Sequence, residues 1–161
     1  MMTALVTPMT FHISLEDPGQ PDVLKLLADG EAYGAALYPA ESNHYLPIDA
    51  LRAAHVRFVV ARDDHGQAVG TGAIALNHGW AELKRMWVAP AARGRGLSRM
   101  LLANLEARAT SAGIFVIRLE TGIENHEALG LYERSGYIRR EAFADYLPDP
   151  LSVFMEKTFR D

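Results

Sequence analysis

Apolar residues recur along this chain in two different rhythms. The segments RFVVAR (57–62), AVGTGAIAL (68–76) and AELKRMWV (81–88) are short apolar runs separated by the polar turns DDHGQ and NHGW. Runs of this kind, bounded by turn residues, predict three strands of a hairpin meander. After Ala89-Pro90 the rhythm changes. Leu97, Leu101, Leu105 and Ala109 recur every four residues, which predicts an amphipathic helix stopped by Gly113. IFVIRLETG (114–122) reads as an apolar strand. Residues Asn125 to Ser135 have helical spacing with Gly136 at the end, and two late strands follow, one from Tyr137 and one in SVFMEKTF (152–159).

Upstream, Thr10–Ser14 reads as extended and DPGQPD as a turn. A helix through Val23, Leu24, Leu26 and Leu27, capped by Asp22 or a neighbour, is expected to end near Tyr38–Pro39. AESNHYLP is a polar loop with aromatics, and PIDALRAA opens a helix with proline. A meander followed by strand, helix, strand, helix and strands predicts an α+β fold whose mixed sheet contains a parallel crossover. No repeat or linker divides the chain, so one domain is expected over residues 1–161, with 1–9 flexible.

Composition narrows the chemistry. A chain of 161 residues, 49% apolar and 22% charged, suits a globular domain with a sizeable core. The absence of cysteine excludes disulfides, thiolate metal sites and a cysteine nucleophile, and fits a reducing compartment. The N-terminus lacks the basic start and apolar stretch of a signal peptide, and no apolar run approaches the ~20 residues that span a bilayer, so a cytoplasmic location is expected. Net charge is −4, yet it is uneven: residues 1–50 carry one base against seven acids, while Lys84 to Arg99 carry five bases and no acid. One basic segment on an acidic chain points to a local anion site rather than a nucleic-acid surface.

That segment contains RGRGLSR, Arg93 to Arg99, at the mouth of the predicted third helix. A glycine turn entering a helix presents unpaired N–H groups at the positive end of the dipole, and flanking guanidinium groups add charge and forked donors. A diphosphate can be held there without metal. No lysine follows the glycines as a P-loop requires, and the dinucleotide fingerprint lacks its third glycine.

The string MWVAPAARGRGLSRMLL resembles the acetyl-CoA signature of the GNAT superfamily of N-acetyltransferases, a strand ending in Val-x-Pro followed by [Gln/Arg]-x-x-Gly-x-[Gly/Ala]. Arg93, Gly94, Arg95, Gly96, Leu97 and Ser98 occupy the turn, with Ser98 replacing the final small residue. Asn125, Ala128, Leu131, Tyr132, Glu133, Gly136 and Tyr137 match a second family block, Asn-x-x-Ala-x-x-Leu-Tyr-Glu-x-x-Gly-[Phe/Tyr]. The resemblance covers residues 57–157 well and the first fifty poorly.

It implies a splayed central sheet flanked by helices, and transfer of an acetyl group from acetyl-CoA to an amine by direct attack. It places the pantetheine arm along the backbone of Met86, Trp87 and Val88 and the diphosphate at Arg93 to Arg99. The side chains of Trp87 and Val88 are expected in the core. Asn125 and Tyr132 are seven residues apart on one helical face, placing the former against the pantetheine amide and the latter near sulfur as proton donor. The alternative makes Tyr132 a core residue and Asn125 a helix cap. Glu82 is the first candidate for the base, evenly weighed against a surface glutamate paired with Lys84 or Arg85; Glu120 and a water relay stand in reserve.

The six histidines show no zinc-binding spacing, so no metal is expected. Acceptor recognition falls to Tyr38–Asp49, where Glu41, His44 and Tyr45 are the candidate contacts. A small-molecule amine is the favoured acceptor. A protein N-terminus or lysine, and a non-catalytic acyl-CoA-binding module, are the rivals; nucleic acid and membrane are not expected partners. The resemblance leaves a homodimer open.

Overall fold

The computed structural model describes residues 10–160, so the expectation of a flexible stretch over residues 1–9 lies outside the described residues. The chain runs β1 (His12–Leu15), α1 (Pro21–Leu37), α2 (Ile48–Leu51), β2 (Val56–Arg62), β3 (Ala68–Leu76), β4 (Ala81–Val88), α3 (Leu97–Ser111), β5 (Val116–Gly122), α4 (His126–Arg134), β6 (Ile138–Arg140) and β7 (Ser152–Thr158). The seven strands form one sheet in the order β1-β2-β3-β4-β5-β7-β6. All neighbours are antiparallel except β4 and β5, which are parallel and joined by the crossover helix α3. The fold is the mixed, splayed sheet flanked by helices that the sequence implied.

Each face of the sheet carries its own core. Val59, Ile74 and Leu83 pack with Leu97, Leu101, Leu105 and Ala109 of α3 and Leu129 of α4. Phe58, Val60, Ala73 and Ala75 pack with Val23 and Leu27 of α1 and Leu51 of α2. Alternate residues of β2 thus serve opposite faces, as the two-residue period of a strand dictates. Gly70 and Gly72 let α3 lie close: a Cβ at Gly72 would stand 2.8 Å from Leu105 and 3.0 Å from Met86. Among the described residues, no helix is long and apolar enough to cross a membrane.

Local signals differ from expectation at several ends. The residue preceding α1 is Gln20, with no side-chain cap, and Pro21 begins the helix; Asp22 lies in the first turn and binds Arg62 instead. Pro47 precedes α2 rather than opening it, and that helix is a single turn. β5 starts at Val116, two residues later than the apolar run: the Ile114 N–H still bonds the Ala109 carbonyl at the end of α3, and pairing with β7 begins at Val116.

Arg62 ties β1, α1 and β2 together. It donates from Nε and Nη2 to Glu16 and from Nη1 to Asp22 (2.8 Å) and to the Gly66 carbonyl. Burial alone would raise the Glu16 carboxyl, but hydrogen bonds from Arg62 and Gln20 outweigh it and hold it below its ordinary value. Hydrogen bonding to Arg62 likewise lowers Asp22. Stabilisation from depressed carboxyls is complete above their unfolded pKa values, near 4, and is lost as pH falls through the lower folded values. Arg62→Met is therefore expected to cost about 1–2 kcal/mol at pH 7. In urea titrations, the gap from the parent protein closes below about pH 3. A gap independent of pH would show that packing of the arginine stem, not its charge, matters.

Candidate active site

β4 and β5 pair only at Ala81–Ile117, Glu82–Arg118 and Leu83–Leu119. Beyond Leu83, β4 stays with β3 and β5 stays with β7, so the two parallel strands part. A bulge sharpens the divergence. Arg85 has φ +57°, in the left-handed region, and the β3–β4 register shifts there. The Thr71 hydroxyl donates to the Arg85 carbonyl at 3.0 Å and steadies the bulge. The notch so formed opens a cavity of about 760 Å³ lined by Met86, Trp87, Val88 and, from α4, Tyr132.

One end of the cavity is the glycine turn. Gly94 and Gly96 have φ +77° and +78°, where a Cβ is strained. Gly96 precedes α3 with no side-chain cap, and the first turn of the helix holds no acid. The first intrahelical bond runs from the Met100 N–H to the Gly96 carbonyl; the N–H groups of Gly96, Leu97, Ser98 and Arg99 find no acceptor among the described residues. Gly94, Gly96, Leu97, Ser98, Arg93 and Arg99 line the cavity, and Arg95 does not. Arg93 folds inward: its Nε donates to the Val88 carbonyl at 3.1 Å and its guanidinium lies 4.9 Å from the Trp87 ring centre. Four free amides at a helix mouth flanked by arginine fit a diphosphate.

Midway, Tyr132 is buried, with its ring edge-on to Tyr137. Its hydroxyl bonds no described residue, and burial pushes its pKa up, so the proton is resident at neutral pH. Asn125 precedes α4 but its side chain makes no cap bond. Its Oδ1 accepts from the Tyr38 hydroxyl and its Nδ2 donates to the Thr121 hydroxyl, each at 3.2 Å. The Asn125 amide is thus fixed, with one hydrogen left to offer. Tyr38 fits only because Gly122 has no side chain: a Cβ there would overlap the phenol.

At the far end the segment between α1 and α2 folds over the notch. Arg85, almost fully buried, donates to the Leu46 carbonyl (2.7 Å) and pairs with Glu31. The Lys84 ammonium donates to the His44 carbonyl at 3.0 Å, and the Ser42 hydroxyl to Asp149 at 2.6 Å. His44, Tyr45 and Glu120 line the cavity. The other predicted acids do not: Glu41 sits exposed on a single 3-10 turn, and Glu82 is held by Lys84 (3.2 Å) and the Tyr146 hydroxyl away from the lining. Glu82 is paired with Lys84, as weighed, but is largely buried rather than on the surface; Glu120 lines the cavity, as does Glu127 at the start of α4.

Tyr38, Thr121, Tyr146 and Ser152, which sequence reasoning passed over, complete the polar frame. Their pairings cross 32 to 87 residues apart from the local Thr121 bond, and no spacing signals them. The Trp87 indole N–H is buried with no partner among the described residues, though Trp87 lines the cavity. Also among the described residues, no group of three or more His, Cys, Asp or Glu side chains is arranged to hold a metal ion.

Known proteins resemble this chain in sequence and in fold. A model of the acetyltransferase (GNAT) family matches residues 22–137. The IAA acetyltransferase of Azospirillum brasilense is 44% identical over 147 residues, covering 90% of this chain and 95% of that protein. The blasticidin-S acetyltransferase of Streptomyces morookaense is 30% identical over 112 residues, covering 69% and 81%. A Klebsiella pneumoniae crystal structure, 40% identical, superposes with a TM-score of 0.80 over 93% of this chain and 98% of its own. At 16% identity the fold is shared with the PaiA N-acetyltransferase of Thermoplasma acidophilum, solved with coenzyme A (TM-score 0.74, covering 93% and 99%).

Proposed function

The chain belongs to the acetyltransferase (GNAT) family and is an acetyl-CoA-dependent acyltransferase, and from that premise we propose that it acetylates the primary amine of a small molecule by direct attack. The observation that carries the reading is one cavity holding both the amides of Gly96 to Arg99 and the Tyr132 hydroxyl, none of them partnered among the described residues. In this reading the amides and Arg99 grip the diphosphate of coenzyme A. The unpaired edge of Met86–Val88 takes the pantetheine arm and offers N–H groups to the developing oxyanion. Asn125 contributes its remaining amide hydrogen, and Tyr132 supplies a proton to the departing sulfur.

A compact acceptor is favoured over a peptide because the segment that would border a peptide groove is tied down. Arg85 holds Leu46, Lys84 holds His44, and Ser42 is bound to Asp149. The relative named for blasticidin S supports a small acceptor as well. The test is release of free thiol from acetyl-CoA across a panel of small amines and amine-bearing peptides. Turnover is expected with small amines at least tenfold above peptides in kcat/KM, a ratio worth about 1.4 kcal/mol. Silence with every amine while coenzyme A binds tightly would favour a non-catalytic acyl-CoA-binding module.

A further inference from the structure

We infer that His44 is the proton acceptor for the incoming amine and that Glu120 is its positioning residue. The inference rests on the acyl-transfer reading above. His44 Nδ1 lies 2.7 Å from Glu120 Oε2, and the Ser152 hydroxyl donates to the same oxygen at 3.1 Å. An ionised carboxylate only accepts, so Nδ1 carries the hydrogen and the neutral ring keeps its lone pair on Nε2. Nε2 bonds no described residue, and both side chains line the cavity. The ring is further held edge-on against Tyr146, 5.3 Å between centres, while Lys84 fixes the His44 carbonyl. Glu120 follows Leu119, the last β5 residue paired with β4, so the dyad stands where the strands part.

This placement solves a mismatch of basicity. An ordinary carboxylate is a poor acceptor for a proton from an ammonium, whereas an imidazole exchanges protons near neutral pH. His44 takes one proton from the substrate ammonium and passes it to solvent. The freed amine forms the C–N bond at the thioester carbon, and the C–S bond breaks. Tyr132 protonates the departing thiolate, and the second proton lost from nitrogen restores Tyr132. Glu82, held by Lys84 and Tyr146, builds the wall behind His44 rather than meeting the amine. The groups facing His44 are Glu120 from β5, Lys84 from β4, and Tyr146 and Asp149 from the segment before β7.

The experiment compares the parent protein with His44→Ala, His44→Gln and Glu120→Gln, using an amine that the parent accepts. Both His44 variants are expected to lower kcat/KM at pH 7 by about 10²-fold, with the Kd for coenzyme A within about twofold. Glutamine keeps an N–H for Glu120 but offers no base, so a purely structural role would leave His44→Gln active. Free imidazole is expected to restore part of the activity of His44→Ala. Glu120→Gln is expected to lose about tenfold and to displace the rising limb of the pH profile. Parent-like kcat/KM in His44→Gln, loss of coenzyme A binding in both His44 variants, or no response of His44→Ala to imidazole would overturn the assignment. A parent protein that turns over no amine would instead sink the acyl-transfer reading, and this inference with it.

Discussion

Replacing Tyr132 by phenylalanine is expected to lower kcat by about 10²- to 10³-fold and leave the Kd for coenzyme A within about twofold. The asymmetry follows from what the substitution removes. The ring stays, with its packing in the α3–α4 core and its edge contact with Tyr137 at 5.8 Å. The hydroxyl has no partner among the described residues, so its loss breaks no bond of the fold, and stability should move by less than about 0.5 kcal/mol. What disappears is the proton that, in the proposed mechanism, goes to the departing sulfur. Burial pushes the phenol's pKa up and so keeps that proton in place. Steady-state kinetics with calorimetric titration of coenzyme A decide the matter. A kcat within about threefold of the parent would remove Tyr132 from the mechanism. A Kd that rises as steeply as kcat/KM falls would make the hydroxyl a binding group.

How far the sequence disclosed this site depends on the range of each interaction. Two strands of the meander, Ala68–Leu76 and Ala81–Val88, end where the apolar runs end, and α3 starts within the glycine segment, at Leu97. These boundaries are set locally, by turn residues, by glycines at positive φ and by side-chain period. The glycine turn with its free amides was legible for the same reason: unpaired amides are a property of one helix end. The capping of α1 was not, because Asp22 had a stronger partner in Arg62, forty residues away. Nor was the choice between carboxylates. Glu82 and Glu120 look alike in sequence, both on strands leading toward the notch. Their difference arises from Tyr146 and Lys84 closing over one and His44 and Ser152 reaching the other. The bulge at Arg85 was invisible too, since an arginine at φ +57° contradicts local preference and is held by tertiary bonds to Leu46 and Glu31.

Leu101→Ala is expected to cost about 3–4 kcal/mol of folding stability, in the middle of the range for leucine-to-alanine substitutions in a core. Leu101 is fully buried on the face of α3 that meets the sheet. Beneath it lies Gly70, whose missing Cβ would stand 3.1 Å from a Leu101 methyl, so β3 has no side chain that can swing into the vacated space. The helix cannot sink to close the gap either, because Leu97 and Leu105 on the same face already rest on Gly70 and Gly72. A chain of this size loses about 2–4 °C of melting temperature per kcal/mol, giving a fall of about 10 °C. Coenzyme A separates packing from binding. A ligand that binds only the folded state adds about 2.7 kcal/mol at a hundredfold excess over its Kd. The amides of Gly96 to Arg99 are held by Leu97 and by the turn itself, so parent and variant should gain equally from coenzyme A. A smaller gain in the variant would show that the Leu101 contact also aims the phosphate turn, and a cost below about 1 kcal/mol would mean that the sheet and α3 rearrange to fill the void.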